Sequence, residues 1–180
     1  MIYCFLADGF EETEAIAPID MLRRAGVTVK TVGIKKSVVT GSHSIPVTCD
    51  LTDSELRLND GLEGIILPGG MPGTLNLDAS PAVHSAIDFA VKNKKLVCAI
   101  CAAPSILGRK KLLFGKEATA FPGFEKELEG AIISKESVVK DGIFITAKGA
   151  GVAVDFGLEI VAAVVSRSKS DEIRASIQCR

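Results

Sequence analysis

The sequence lacks an excess of charge of either sign. Its 180 residues contain 21 lysines and arginines against 22 aspartates and glutamates, which gives a formal net charge of −1. The basic clusters, Arg23-Arg24, Lys35-Lys36 and Arg109-Lys110-Lys111, are short and scattered, which is typical of solvated surface. We therefore expect neither a nucleic acid nor an anionic membrane as the main partner.

The sequence also lacks a long apolar run. The longest, at 157–166, is shorter than a membrane span and is interrupted by Glu159. Residues 1–7 have neither the basic start nor the length of a secretory signal. The five cysteines are an odd number, which indicates free thiols in a reducing compartment. We therefore expect a cytoplasmic protein.

Histidine is scarce, with only His43 and His84 in the chain, and no Cys/His cluster has zinc-ligand spacing. A surface or capping role is the simplest interpretation of each histidine. The sequence therefore predicts neither a metal site nor a cofactor.

Short β-type runs alternate with helical runs along the whole chain, and no linker or repeat divides it. We therefore predict a single domain over residues 1–180, of the α/β class, with a mostly parallel sheet covered by helices on both faces. Strands are expected at 2–7, 27–34, 64–70 and 95–100, and helices at 11–26, 80–93, 102–109 and 151–167, with a weaker helix at the C-terminus. Residues 37–50 are expected to form a hairpin or an edge segment, and residues 137–147 a hairpin that turns at Asp141-Gly142. Three loops then follow carboxyl ends of strands, where such sheets bind ligands: 7–14, 68–73 and 101–104.

Two cysteines, Cys98 and Cys101, lie three residues apart at the end of the strand predicted at 95–100. Side chains alternate along a strand, so these thiols are expected to diverge rather than to form a redox pair, and Cys98 is interpreted as a core thiol. Cys101 lies where the strand ends and a helix begins, the position of a nucleophile elbow, where a helix N-terminus favours the thiolate. The local sequence leaves a catalytic nucleophile and a buried structural cysteine equally open.

The loop at 7–14 ends in three acids, Glu11, Glu12 and Glu14. Acids in a first helical turn can simply complement the helix dipole. In a parallel sheet this loop can also neighbour the elbow, so that one of the carboxyls reaches the thiol of Cys101.

Four ordered segments together resemble the ThiJ/PfpI superfamily, and most closely its branch of the human parkinsonism-associated deglycase and bacterial relatives. They are LADGFEETEAIAPIDMLRRAG, IILPGGMPGTLNL, VCAICAAPSIL and ITAKGAGVAVDFGLEIV. The resemblance implies a flavodoxin-like three-layer sandwich that forms homodimers. It also implies that Cys101 is the elbow cysteine, that Glu14 hydrogen-bonds its thiol, and that Gly70 and Ala102 supply oxyanion-hole amides. Asp20 matches an acid with a structural role.

The chain departs from this pattern at Phe121, where relatives often carry a histidine, and neither His43 nor His84 stands in a matching place. A cysteine amidase or protease with a Cys-His-acid triad is therefore the weakest hypothesis. The resemblance favours a cofactor-independent enzyme that acts on reactive aldehydes or glycated groups, with Glu14 protonated at rest. The alternative is a redox-responsive stress protein or chaperone that senses oxidants through Cys101.

Overall fold

The structure is a computed structural model that describes residues 1–179 of the chain. In these residues the strands are β1 (Ile2–Leu6), β2 (Val29–Gly33), β3 (Val38–Thr40), β4 (Pro46–Thr48), β5 (Leu51–Thr52), β6 (Gly64–Leu67), β7 (Leu96–Ile100), β8 (Glu117–Ala118), β9 (Ile132–Ile133), β10 (Val138–Asp141) and β11 (Phe144–Ala147). The α-helices are α1 (Glu12–Arg24), α2 (Gly73–Asp78), α3 (Pro81–Lys92), α4 (Pro104–Arg109), α5 (Ala153–Val164) and α6 (Arg167–Ser176).

A seven-stranded sheet forms the centre of the fold, in the order β10-β11-β7-β6-β1-β2-β5. Every neighbouring pair is parallel except β10 with β11, which form an antiparallel hairpin at the edge. The carboxyl ends of β1, β6, β7 and β11 therefore lie side by side along one rim of the sheet. This rim is where the predicted loops meet.

Both faces of the sheet are buried, and the alternation of side chains along β1 shows why. Tyr3 and Phe5 pack into one apolar cluster, and Ile2, Cys4 and Leu6 pack into a second cluster on the other face. The first cluster includes apolar side chains of α3 and α4, and the second includes those of α1, α5 and α6. The three layers confirm the predicted α/β sandwich, flavodoxin-like in form, with a mostly parallel sheet and helices on both faces.

The segment predicted at 37–50 as a hairpin or edge segment forms the hairpin β3–β4, and the hairpin predicted at 137–147 is confirmed as β10–β11. Its turn residues are Gly142 and Ile143 rather than Asp141 and Gly142, because Asp141 still pairs with Phe144. The helix predicted at 151–167 is shorter, because residues 150–152 form a separate 3-10 turn and α5 ends at Val164. Ser80 occupies the N-cap position of α3, but its side chain makes no capping hydrogen bond. The helix α2 and the two-residue strands were not predicted.

Within residues 1–179, no helix combines the length and the apolar character that crossing a lipid bilayer requires.

Candidate active site

Cys101 immediately follows β7, and its backbone has a conformation that residues other than glycine rarely adopt. Its φ is +64°, in the left-handed region, and α4 begins three residues later at Pro104. Neighbouring segments fix this conformation, since the Cys101 amide donates to the Ala147 carbonyl at 2.8 Å and the Cys101 carbonyl accepts from the Phe121 amide at 2.9 Å. A left-handed cysteine between a buried strand and a helix is the geometry of a nucleophile elbow.

Glu14 brings a carboxyl group to the elbow from the first turns of α1. The side chain is buried, with 1% of the residue exposed, and its Oε2 accepts the Gly69 amide at 2.9 Å. The carboxyl also accepts the amide of Ala150 and is hydrogen-bonded to the thiol of Cys101. The predicted contact between Glu14 and Cys101 is thus present in the structure.

The glycine turn after β6 permits this close approach. A Cβ atom added to Gly69 would lie 2.6 Å from the Cys101 Cβ and 2.6 Å from the Glu14 Oε2. The next residue, Gly70, has a φ of +89°, which favours glycine. The backbone amides of Gly70 and Ala102 both donate to the Cys101 sulfur, so the two predicted oxyanion-hole residues surround the thiol. The same amides can stabilise negative charge on sulfur or on a nearby oxygen.

Burial dominates the electrostatics of the pair. It raises the pKa of Glu14 to about 7, although hydrogen bonds from Cys101 and Gly69 partly oppose it. Burial, followed by the charge of an ionised Glu14, raises the pKa of the Cys101 thiol to about 12, while the amides of Gly70 and Ala102 lower it. Burial and the neighbouring carboxylate thus oppose the effect by which a helix N-terminus lowers the pKa of this thiol.

The two raised pKa values have one consequence for protonation. A thiolate next to an ionised Glu14 is strongly disfavoured, so sulfur carries its charge only when the carboxyl holds the proton. Above a pH of about 7 the pair shares a single proton and a single negative charge. The expectation that Glu14 is protonated at rest thus applies below a pH of about 7. Above that pH it applies only to the tautomer in which Cys101 is the thiolate.

The other cysteine of the motif, Cys98, is buried within β7, and burial raises its pKa. No disulfide joins it to Cys101, since both are free thiols. The expectation that the two thiols face opposite sides of the sheet is not met, because Cys101 packs against the same apolar cluster as Cys98. Strand alternation ends at Ile100, and the left-handed turn redirects the next side chain.

Neither histidine supplies a partner for the Cys101 thiol. The ring of His84 bonds the Asp78 carbonyl oxygen at 2.6 Å. The ring of His43 contacts Glu12 at 3.1 Å and Glu11 at 3.4 Å, and the hydrogen bond with Glu12 raises its pKa. Asp20 pairs with Arg24 on the surface of α1.

Potential metal ligands come together at one group within residues 1–179. One atom from each of Glu11, Glu12 and His43 lies within 4.8 Å of the others. The His43 ring is hydrogen-bonded to Glu12, and the Ser42 hydroxyl donates to Glu11. Glu11 and Glu12 thus hold the β3–β4 turn, and only Glu14 of the three acids reaches the thiol.

The segment after β11 is the part of the site that the sequence reasoning missed. Gly149 and Ala150 follow a strand that neighbours β7, and the Ala150 amide bonds Glu14. Parallel sheets bind ligands at the carboxyl ends of their strands, and this rule, which indicated three loops, applies equally to the loop after β11. The signal was therefore present in the sequence at KGAG, residues 148–151.

The fold and this site define an α/β protein with a cysteine at a nucleophile elbow and an acid bonded to its thiol. A model of the DJ-1/PfpI family matches residues 1–163, and the chain belongs to that family. The Parkinson disease protein 7 homolog of Danio rerio is 32% identical over 176 residues, which cover 96% of this chain and 93% of the relative.

Two further proteins show the range of the relatives. A protein of Pyrococcus abyssi named as a deglycase is 31% identical over 151 residues, which cover 81% of this chain and 87% of the relative. The structure of oxidized DJ-1 from Toxoplasma gondii superimposes on this chain with a TM-score of 0.93 at 28% identity. The match covers 98% of this chain and 97% of the Toxoplasma gondii chain. These matches confirm the resemblance stated from the sequence.

Proposed function

We propose that this protein is a cysteine-dependent enzyme of stress protection that converts reactive carbonyls, of the methylglyoxal or glyoxal type, to 2-hydroxy acids without glutathione. The observation that carries the proposal is the buried Glu14 carboxyl bonded to the thiol of Cys101, whose sulfur also accepts two backbone amides. The relative named as a deglycase supports the same chemistry on glycated groups.

The first step is addition to the aldehyde. In the tautomer with a protonated Glu14, the Cys101 sulfur forms a bond to the aldehyde carbon, and the carbonyl electron pair moves to oxygen. The amides of Gly70 and Ala102 stabilise this oxyanion, and Glu14 donates its proton to it. The product is a hemithioacetal with Glu14 ionised.

The second stage moves a proton between carbons. The Glu14 carboxylate removes the proton from the carbon that bears sulfur, and the electron pair shifts to the oxygen of the neighbouring ketone. That oxygen takes the hydroxyl proton of the sulfur-bearing carbon, which gives an enediolate. Glu14 returns the proton to the former ketone carbon while the carbonyl re-forms at the sulfur-bearing carbon, which gives a thioester of the 2-hydroxy acid. Water then attacks the thioester and the carbon–sulfur bond breaks, so that methylglyoxal plus water gives lactate without any oxidant, reductant, metal or cofactor.

The test is consumption of methylglyoxal with detection of D- and L-lactate, without added glutathione. We expect turnover by the wild type and a loss of about 100-fold or more in Cys101→Ser and Glu14→Gln, because each removes a group that bonds or transfers a proton. The matched control is Cys49→Ser, which alters a thiol in another part of the fold and should retain turnover. A folded wild type without turnover would contradict the proposal.

A redox-responsive stress protein is the second candidate, and the partial exposure of Cys101 favours it. Peroxide would oxidise the thiol to sulfenic and then sulfinic acid, and Glu14 with the two amides would hydrogen-bond the added oxygens. Intact mass after mild peroxide tests this candidate. A gain of about 32 Da, two oxygen atoms, that is absent from Cys101→Ser would support it, and a gain located elsewhere would exclude Cys101 as the sensor.

A cysteine amidase or protease is less favoured, because Phe121 replaces the family histidine and both histidines have other partners. The proposed partners are small reactive aldehydes or glycated groups and a second copy of this chain, rather than a nucleic acid or a membrane. The proposed location is the cytoplasm.

A further inference from the structure

A cavity of about 380 Å³ lies on the side of the site formed by Phe121, Pro122 and residues 149–152. This volume falls within the range of about 300–1,000 Å³ that is typical of small-molecule sites. The proposed mechanism uses only the reacting atoms of the substrate and assigns no role to this space.

Three contacts connect the cavity to the reacting groups. A Cβ added to Gly149 would lie 3.3 Å from the ring of Phe121 and 3.7 Å from the Glu14 Oε1, so this glycine separates the ring from the carboxyl. Ala150, in the same wall, donates its amide to Glu14. The Phe121 amide is bonded to the Cys101 carbonyl, which fixes the start of the opposite wall. A molecule bonded to the Cys101 sulfur would therefore have this cavity as a neighbour.

The walls of the cavity are mainly apolar. Phe121 is 47% exposed, so its aromatic side chain lies in contact with solvent. Pro122 and Val152 add apolar surface, and the glycines leave room beside them. The amine of Lys148, on the lining, donates to the Lys135 carbonyl. An apolar group that covers Phe121 would gain binding free energy from burial.

We propose that this cavity binds the apolar substituent of the carbonyl substrate, with Phe121 as its aromatic wall. The preferred substrates are then 2-oxoaldehydes whose ketone carbon carries an aryl or branched alkyl group, rather than glyoxal itself. This inference rests on the proposed function, because the substituent enters the cavity only while the aldehyde reacts at Cys101. Phe121 is thus a specificity-determining residue.

The test is a comparison of kcat/KM for glyoxal, methylglyoxal and phenylglyoxal, which would give glycolate, lactate and mandelate. We expect the wild type to favour phenylglyoxal over glyoxal by about tenfold or more, in line with the discrimination of hydrophobic pockets. Phe121→Ala should lower kcat/KM for phenylglyoxal by about tenfold, mainly through KM, and change that for glyoxal by no more than about twofold. Phe121→His retains an aromatic ring, but it should also reduce the preference for phenylglyoxal over glyoxal.

The control is Phe114→Ala, which removes an aromatic side chain that is 71% exposed and does not line the cavity. Its substrate preference should equal that of the wild type. Turnover of all three aldehydes without a phenylglyoxal preference, or with a preference that Phe121→Ala leaves unchanged, would overturn the inference and leave the proposed function standing. A wild type that turns over none of them would overturn both.

Discussion

At the scale of single residues, the site depends on a carboxyl and a thiol that are more costly to ionise than in water. Glu14 and Cys101 are brought together by α1 and β7, and Gly69 leaves no side chain between them. The amides of Gly70 and Ala102 compensate part of the cost when the charge lies on sulfur. One proton shared by two groups then serves both nucleophilic attack and acid catalysis.

The raised pKa of Glu14 also makes the stability of the protein depend on pH. The folded state holds this proton up to a pH of about 7, whereas an ordinary glutamate, with a pKa of 4.5, releases it earlier. The unfolded chain therefore loses the proton first, and the free energy of unfolding falls by roughly 1–3 kcal/mol as the pH rises through that window.

Glu14→Gln should remove this decline. Denaturant unfolding of both proteins at about pH 5 and about pH 8 measures it, because the variant should gain stability relative to the wild type at the higher pH. The same difference between the two proteins at both pH values would show that Glu14 does not titrate in this window.

The family resemblance predicted that the four candidate site residues lie together, but the sequence did not predict their protonation. The motifs around Cys101, Glu14, Gly70 and Ala102 were enough to place these residues in one site. The pKa of Cys101 depends on how much protein covers the thiol and on the distance to Glu14. Both are tertiary quantities, so the local rule for a helix N-terminus leaves out the two effects that raise this pKa.

At the scale of elements, the position of Glu14 depends on how α1 packs against its neighbours. Gly157 of α5 lies against α1, and a Cβ there would come within 2.7 Å of the Pro18 Cα. The obstacle is backbone, which cannot move aside as a flexible side chain can. The small residue thus sets the distance between the two helices.

Gly157→Ala should therefore destabilise the protein by about 1–3 kcal/mol, although alanine is the better helix former by about 1 kcal/mol. Thermal and denaturant unfolding measure the change. The control is Gly151→Ala, where an added Cβ meets no atom within 4 Å and should have little effect. Equal stabilities of the two variants would contradict this account of the α1–α5 contact.

Elements with a clear period were predictable, and the shortest ones were not. The buried strands β1, β6 and β7 and the helices α1 and α3 follow from apolar runs, spacing and turn residues. The strands β5, β8 and β9 have two residues each, too few for any alternation to show. The helix α2 has six residues and begins within the glycine turn, where the sequence indicates only a loop.

At the scale of the whole molecule, the resemblance to the family predicts a homodimer. One face of α1 and α5 offers apolar surface for such a contact, with Ile16, Ala17 and Val154 around an open cavity. Ile16 is 44% exposed in the isolated chain. Burial of such side chains against a second copy would be favourable.

Sedimentation equilibrium should therefore give about twice the chain mass of 18.9 kDa. Ile16→Asp should shift the equilibrium to the monomer, because it would bury a charge in the interface. Ile132→Asp, at an exposed isoleucine of β9, is the matched control and should remain dimeric. A monomeric wild type at all concentrations would contradict the prediction.

The central claim is that Cys101 and Glu14 share one proton, and the pH dependence of Cys101 alkylation tests it most directly. The rate of modification, followed by mass spectrometry, should rise in the wild type with a midpoint at about pH 7, where the pair first ionises. Glu14→Gln should lack this midpoint. An identical midpoint in both proteins, or a rate that rises only near the ordinary thiol pKa of 9.0, would contradict the account.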